Sequence, residues 1–143
     1  MASTGVSRRW IQGTVILTVA LVTAFGVGLY MLLRDSLDPL EESASSYLGH
    51  LGREDGQAAC SAMTRTAQAE FAATYRAKDC PAAIQVMTEF LTPAEKSELT
   101  ETDTRYPKAS GLIGYVDLGS NPLNLSQMVL KDVDGAWYID ELR

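Results

Sequence analysis

Residues 125–142, LSQMVLKDVDGAWYIDEL, decide the fold. Two short runs rich in β-branched and aromatic residues, 125–133 and 136–142, flank Asp134-Gly135. That pair predicts a two-residue hairpin, because both turn positions need a left-handed backbone that glycine adopts freely and aspartate tolerates. With this turn Leu130 faces Ile139, and Met128 and Trp137 fall on the same side. Upstream, residues 112–118 read as a further strand and Gly119-Ser120-Asn121-Pro122 as a turn or loop. A strand over 105–109 is an edge at best, since Pro107 has no N–H to give to a ladder.

Before Asp103 the period is helical. Asp38-Pro39-Leu40-Glu41 is a helix start in which Asp38 caps, Pro39 suits the first turn and Glu41 reaches back to the cap amide. Leu40, Ala44, Tyr47, Leu48 and Leu51 then share one face, and Gly52 ends it. Ala59, Met63, Ala67, Phe71 and Tyr75 follow at a spacing of four, predicting one helix after Asp55-Gly56 with Cys60 beside its buried stripe. A third helix starts at Asp79-Cys80-Pro81 and carries Ile84, Met87 and Leu91, with Val86 and Phe90 on its flank. Thr92-Pro93-Ala94-Glu95 is a capping box for a fourth, ending near Thr102. Helices followed by consecutive antiparallel strands make an α+β domain of three to four helices packed on a sheet of three to four strands.

The first third of the chain reads differently. Residues 10–33, WIQGTVILTVALVTAFGVGLYMLL, contain no charge and as a helix reach ~36 Å, enough to cross a bilayer. A cleaved secretory signal would have a shorter apolar region and a small-x-small site, and no cysteine follows that could take a lipid. The expected organisation is therefore a cytoplasmic tail at 1–9, a transmembrane helix at 10–33, a linker at 34–38 and a domain at 39–143. Arg8 and Arg9 outweigh Arg34, which places the N-terminus in the cytoplasm and the domain outside the plasma membrane. The short linker holds the domain near the bilayer. Ala20, Ala24 and Gly28 recur every four residues, forming a candidate face for packing against another membrane helix.

The cysteines agree with an extracytoplasmic domain, and its charge limits its partners. From Asp35 onward the chain holds all 18 acidic residues and nine of the 12 basic ones, a net of −9. Such a field repels phosphate backbones, so no nucleic-acid partner is expected. Cys60 and Cys80 have neither CxxC spacing nor clustered histidines. In an oxidising compartment they point to a disulfide, which would contribute roughly 3 kcal/mol.

The amphipathic first helix (Tyr47, Leu48, Leu51), the turn Glu54-Asp55-Gly56, a helix with a cysteine, a second cysteine and the ending Asp134-Gly135-Ala136-Trp137-Tyr138-Ile139-Asp140 together resemble a known class. It is that of the membrane-anchored, nuclear-transport-factor-2-like (cystatin-like) extracytoplasmic domains of actinobacteria. The resemblance covers roughly 38–143 and implies helices packed on a curved antiparallel sheet. Larger members insert strands between their second and third helices, whereas only Ala77, Lys78 and Asp79 separate Arg76 from Cys80 here. A small sheet follows, with the ligand-holding cone shallow or absent. The resemblance implies partners among larger membrane subunits of lipid-import (mammalian-cell-entry), type IV secretion or respiratory assemblies.

The chemistry-bearing residues are sparse. His50 is the only histidine and sits where a helix C-terminus favours a cation; without His or Cys ligand spacing it reads as a surface cap, and neither metal nor cofactor is assigned. Glu41-Glu42, Glu54-Asp55 and Asp140-Glu141 are neighbours whose side chains diverge, so they read as caps and solvated surface instead of an acid/base pair. Trp137, Tyr138 and Tyr115 are candidate walls of a cavity between sheet and helices. Asn124-Leu125-Ser126 matches a glycosylation acceptor. No nucleophile motif or phosphate-cradling loop occurs. The expectation is a non-enzymatic accessory or scaffold subunit of a cell-envelope membrane complex. The alternative is a small-ligand-binding module or small enzyme using such a cavity. A sensor role would need a larger cytoplasmic output than residues 1–9 supply.

Overall fold

Proline fits a first helical turn because it has no N–H to leave unpaired. In the computed structural model, which describes residues 37–143, helix α1 (Asp38–Gly52) carries Pro39 in that position. Its cap is Leu37 and not Asp38, and no side chain caps it. Glu41 does not fold back to the cap either; its Oε1 accepts from Thr104 Oγ1 at 3.0 Å, tying α1 to the start of the sheet. Leu40, Ala44, Tyr47, Leu48 and Leu51 are all buried, as their spacing requires.

The stripe from Ala59 to Tyr75 is not one helix. It is divided into α2 (Gly56–Ser61) and α3 (Arg65–Thr74). Thr64 is extended and accepts from the Ala67 amide at 3.1 Å, capping α3. The turn between them joins the sheet: Ile139 N donates to Ala62 O, and Thr64 N to Ile139 O, both at 2.8 Å. Two strong tertiary hydrogen bonds and a cap replace the helical bonds lost at the break. Among the described residues the domain holds five helices, where three to four are expected.

Helix α4 (Cys80–Thr88) is capped by Asp79, whose Oδ1 accepts from the Ala82 amide at 2.9 Å. Cys60 of α2 and Cys80 of α4 form a disulfide with their Cα atoms 6.0 Å apart. Helix α5 (Pro93–Thr100) has the full capping box between Thr92 and Glu95.

The sheet is an antiparallel meander, β1 (Thr104–Ser110), β2 (Ile113–Leu118), β3 (Gln127–Val133) and β4 (Ala136–Leu142), in that spatial order. Asp134 and Gly135 both have positive φ, as the predicted hairpin demands. Leu130 pairs with Ile139, and Gly114 with Leu130. The register of β1 shifts across Tyr106 and Pro107; that of β4 shifts at Asp140, which has no partner on β3. Side chains alternate across a strand. Gly114, Val116, Met128, Leu130 and Ile139 therefore face the helices, while Ile113, Tyr115, Val129, Lys131 and Tyr138 occupy the other face. Leu40 lies directly over Gly114, where a β-carbon would collide with its Cδ1.

Among the described residues no helix is long and apolar enough to cross a membrane. The expected span at 10–33, with Ala20, Ala24 and Gly28, lies outside them.

Candidate functional site

The stripe on α3 outruns the core. Ala67 is buried, but Phe71 and Tyr75, one and two turns further along, are only partly covered, and their rings lean on each other with centroids 4.8 Å apart. Opposite them, the extra residue in β4 brings Asp140, Glu141 and Leu142 to the same surface. Met63, Met87 of α4 and Leu125 form the floor. The result is an open groove of about 250 Å³ between α3 and β4, with an apolar bed and an acidic rim of Glu70, Asp140 and Glu141.

The three carboxylates differ in their commitments. Glu141 is bound by Arg143, with Nη2 at 2.8 Å from Oε2 and Nε at 2.9 Å from Oε1, and this hydrogen bonding holds its carboxyl below the usual range. Asp140 accepts from Thr64 Oγ1 at 2.8 Å, the same residue that caps α3. Among the described residues, no Lys, Arg or His nitrogen lies within 4.0 Å of Glu70 or Asp140. The groove therefore presents two uncompensated anionic groups beside the partly exposed, polarizable Met87, above the nearly buried Met63.

A larger open groove of about 550 Å³ lies at the start of α4, between Gln57, Lys78, Pro81 and Gln85. Its acidic groups are already engaged: Asp79 caps α4, and Glu54 Oε1 sits 2.6 Å from Lys96 Nζ. Buried Thr88 Oγ1 is satisfied by Ile84 O at 3.0 Å. This groove is polar, and its carboxylates and its buried hydroxyl are already engaged.

No protein-family model, no curated protein and no solved structure matches this chain.

The sequence-derived candidates are placed apart. Trp137 packs against the buried core on the helix side of the sheet. Tyr138, its neighbour in the strand, pairs with Lys131 on the opposite face, and Tyr115 pairs there with Val129. The three do not share a face, and neither groove is lined by any of them. His50 lies in the last turn of α1, its Nε2 3.3 Å from Ser46 Oγ and its Nδ1 3.3 Å from Arg53 Nη2. Among the described residues no group of three or more His, Cys, Asp or Glu side chains converges on a metal position. Asn124 is exposed, with a φ of 54°.

Sequence reasoning missed the α3–β4 groove. Its walls stand some 70 positions apart in the chain, and the bulge that brings Asp140 to them leaves no local signature.

Proposed function

We propose that this chain is a non-enzymatic accessory subunit of a cell-envelope membrane complex, anchored through residues 10–33 and presenting its acidic domain outside the cytoplasm. The observation that carries this reading is where the concavities lie. The space between helices and sheet is filled by Leu40, Tyr47, Met128, Leu130 and Ile139, each with no exposed surface, while the grooves are shallow and open outward. Surfaces of that kind suit a macromolecular neighbour better than an enclosed substrate. The Cys60–Cys80 bridge agrees with an oxidising compartment. The nuclear-transport-factor-2-like, actinobacterial resemblance supports the same reading and extends it to lipid-import, secretion and respiratory assemblies alike.

The test is purification of the tagged full chain from native membranes in mild detergent, beside an unrelated single-span control. Larger membrane subunits in fixed ratio are the expected result, and recovery of the chain alone would overturn the proposal.

A second reading has one observation in its favour. The α3–β4 groove, with Met63, Phe71 and Met87 beside Asp140, has the polarity of a site for a small apolar cation. Native mass spectrometry of the purified chain would reveal a retained ligand of that kind.

A further inference from the structure

We infer that the groove between α3 and β4 docks a partner protein through an apolar segment flanked by lysine or arginine. The inference rests on the accessory-subunit reading and names the surface that reading requires.

Charge complementarity selects the occupant. Glu70 and Asp140 face the groove without a basic partner among the described residues, and Asp140 is fixed in place by Thr64 Oγ1 at 2.8 Å. A carboxylate held at the edge of an apolar bed gains most from a cation that arrives with its own apolar stem, as lysine and arginine do. The accessible part of the bed, Met87 and the Phe71–Tyr75 pair above the nearly buried Met63, accepts differently shaped aliphatic or aromatic side chains. Its volume of about 250 Å³ falls below the ~300–1,000 Å³ of ordinary small-molecule pockets and fits one or two side chains of a larger body. A second copy of this domain is a poor occupant, because the chain from Asp35 onward carries twice as many acidic as basic residues and self-association would oppose like charges.

The experiment places a benzophenone side chain at Thr74, on the rim, or at Lys131, on the far face of the sheet, in the tagged full-length chain in native membranes. After irradiation, adducts are mapped by peptide mass spectrometry, and co-purification of untreated chain is followed in parallel. The expected result is an adduct from position 74 to an apolar segment bearing Lys or Arg. Its yield should fall about tenfold in Glu70→Lys or Asp140→Asn, which remove the attraction while sparing the core, and should decline as salt rises. Formation of the disulfide and an unchanged thermal transition show that each variant is folded. If partners co-purify but adducts form only from position 131, or both variants leave the yield unchanged, the groove inference fails and the accessory reading stands. An adduct to a second copy, or to a segment lacking basic residues, also overturns the inference. If the chain purifies alone, both readings fall.

Discussion

The hydroxyl of Tyr47 donates to the thioether of Met63 across 3.8 Å, and that sulfur touches Cys80 Sγ at the same distance, so phenol, thioether and disulfide stack through the core. A disulfide sulfur has no proton to donate, so the second contact is one of packing alone. A thioether is a weak acceptor, and the ring is held chiefly by its burial. Burial, with a smaller contribution from Tyr75, raises the Tyr47 pKa well above its ordinary value of 10.0. The native state therefore keeps a proton that the unfolded chain releases. Stability from this group is complete below about pH 10 and is lost as pH rises above it, by up to about 1.4 kcal/mol per pH unit. Tyr47→Phe should remove one proton from that slope while changing neutral-pH stability by less than about 1 kcal/mol. Urea unfolding between about pH 8 and 11 measures both; an unaltered slope would show that Tyr47 titrates normally.

Cutting the Cys60–Cys80 bridge should cost about 3 kcal/mol, since it closes a loop across 20 positions in a small domain. Cys60→Ser with Cys80→Ser should lower the melting temperature by roughly 10–20 °C. Both cysteines are almost wholly buried, so reductant added to the native protein should act slowly and accelerate with mild denaturant. Thiol labelling over time follows this directly.

Gly114→Ala places a methyl group against Leu40 Cδ1 and should destabilise by about 1–3 kcal/mol. Leu40→Ala alone opens a cavity worth about 2–5 kcal/mol. Because the new methyl enters the space vacated by the leucine, the double variant should be clearly less destabilised than the sum. Strict additivity in a denaturation cycle would mean that the two residues do not meet.

Asn121 is a buried staple in the loop between β2 and β3. Its Nδ2 donates to Gly119 O at 2.9 Å and Leu125 O at 2.7 Å, and its Oδ1 accepts from the Leu125 amide at 3.1 Å. Asn121→Ala leaves those backbone groups unpaired and should cost about 1–3 kcal/mol, with faster hydrogen exchange at the Leu125 amide. Exchange there at the parental rate would count against the staple.

Local rules made most of the architecture legible. The Asp134-Gly135 hairpin, its Leu130–Ile139 register, the Thr92–Glu95 capping box and the buried face of α1 depend on neighbours in sequence, and each occurs as expected. Pro107 confines its strand to an edge, and β1 is one of the two edge strands of the sheet. The failures are contacts between distant residues. Glu41 leaves its own cap for Thr104, 63 positions away, and Ala62 to Thr64 leave the helix for Ile139. Thr64 was the readable clue, a cap residue within an otherwise continuous stripe, but only the paired strand explains why the cap wins. The groove was least legible, since three elements and a bulge compose it.

The turn at 62–64 does more than divide two helices. By bonding to Ile139 it occupies the middle of the β4 margin, and the shift across Tyr106 and Pro107 interrupts the β1 margin. Neither side offers an approaching strand a continuous ladder. Edge-to-edge addition of another copy is thereby disfavoured, and the specificity of any neighbour rests on side chains instead of a shared backbone ladder.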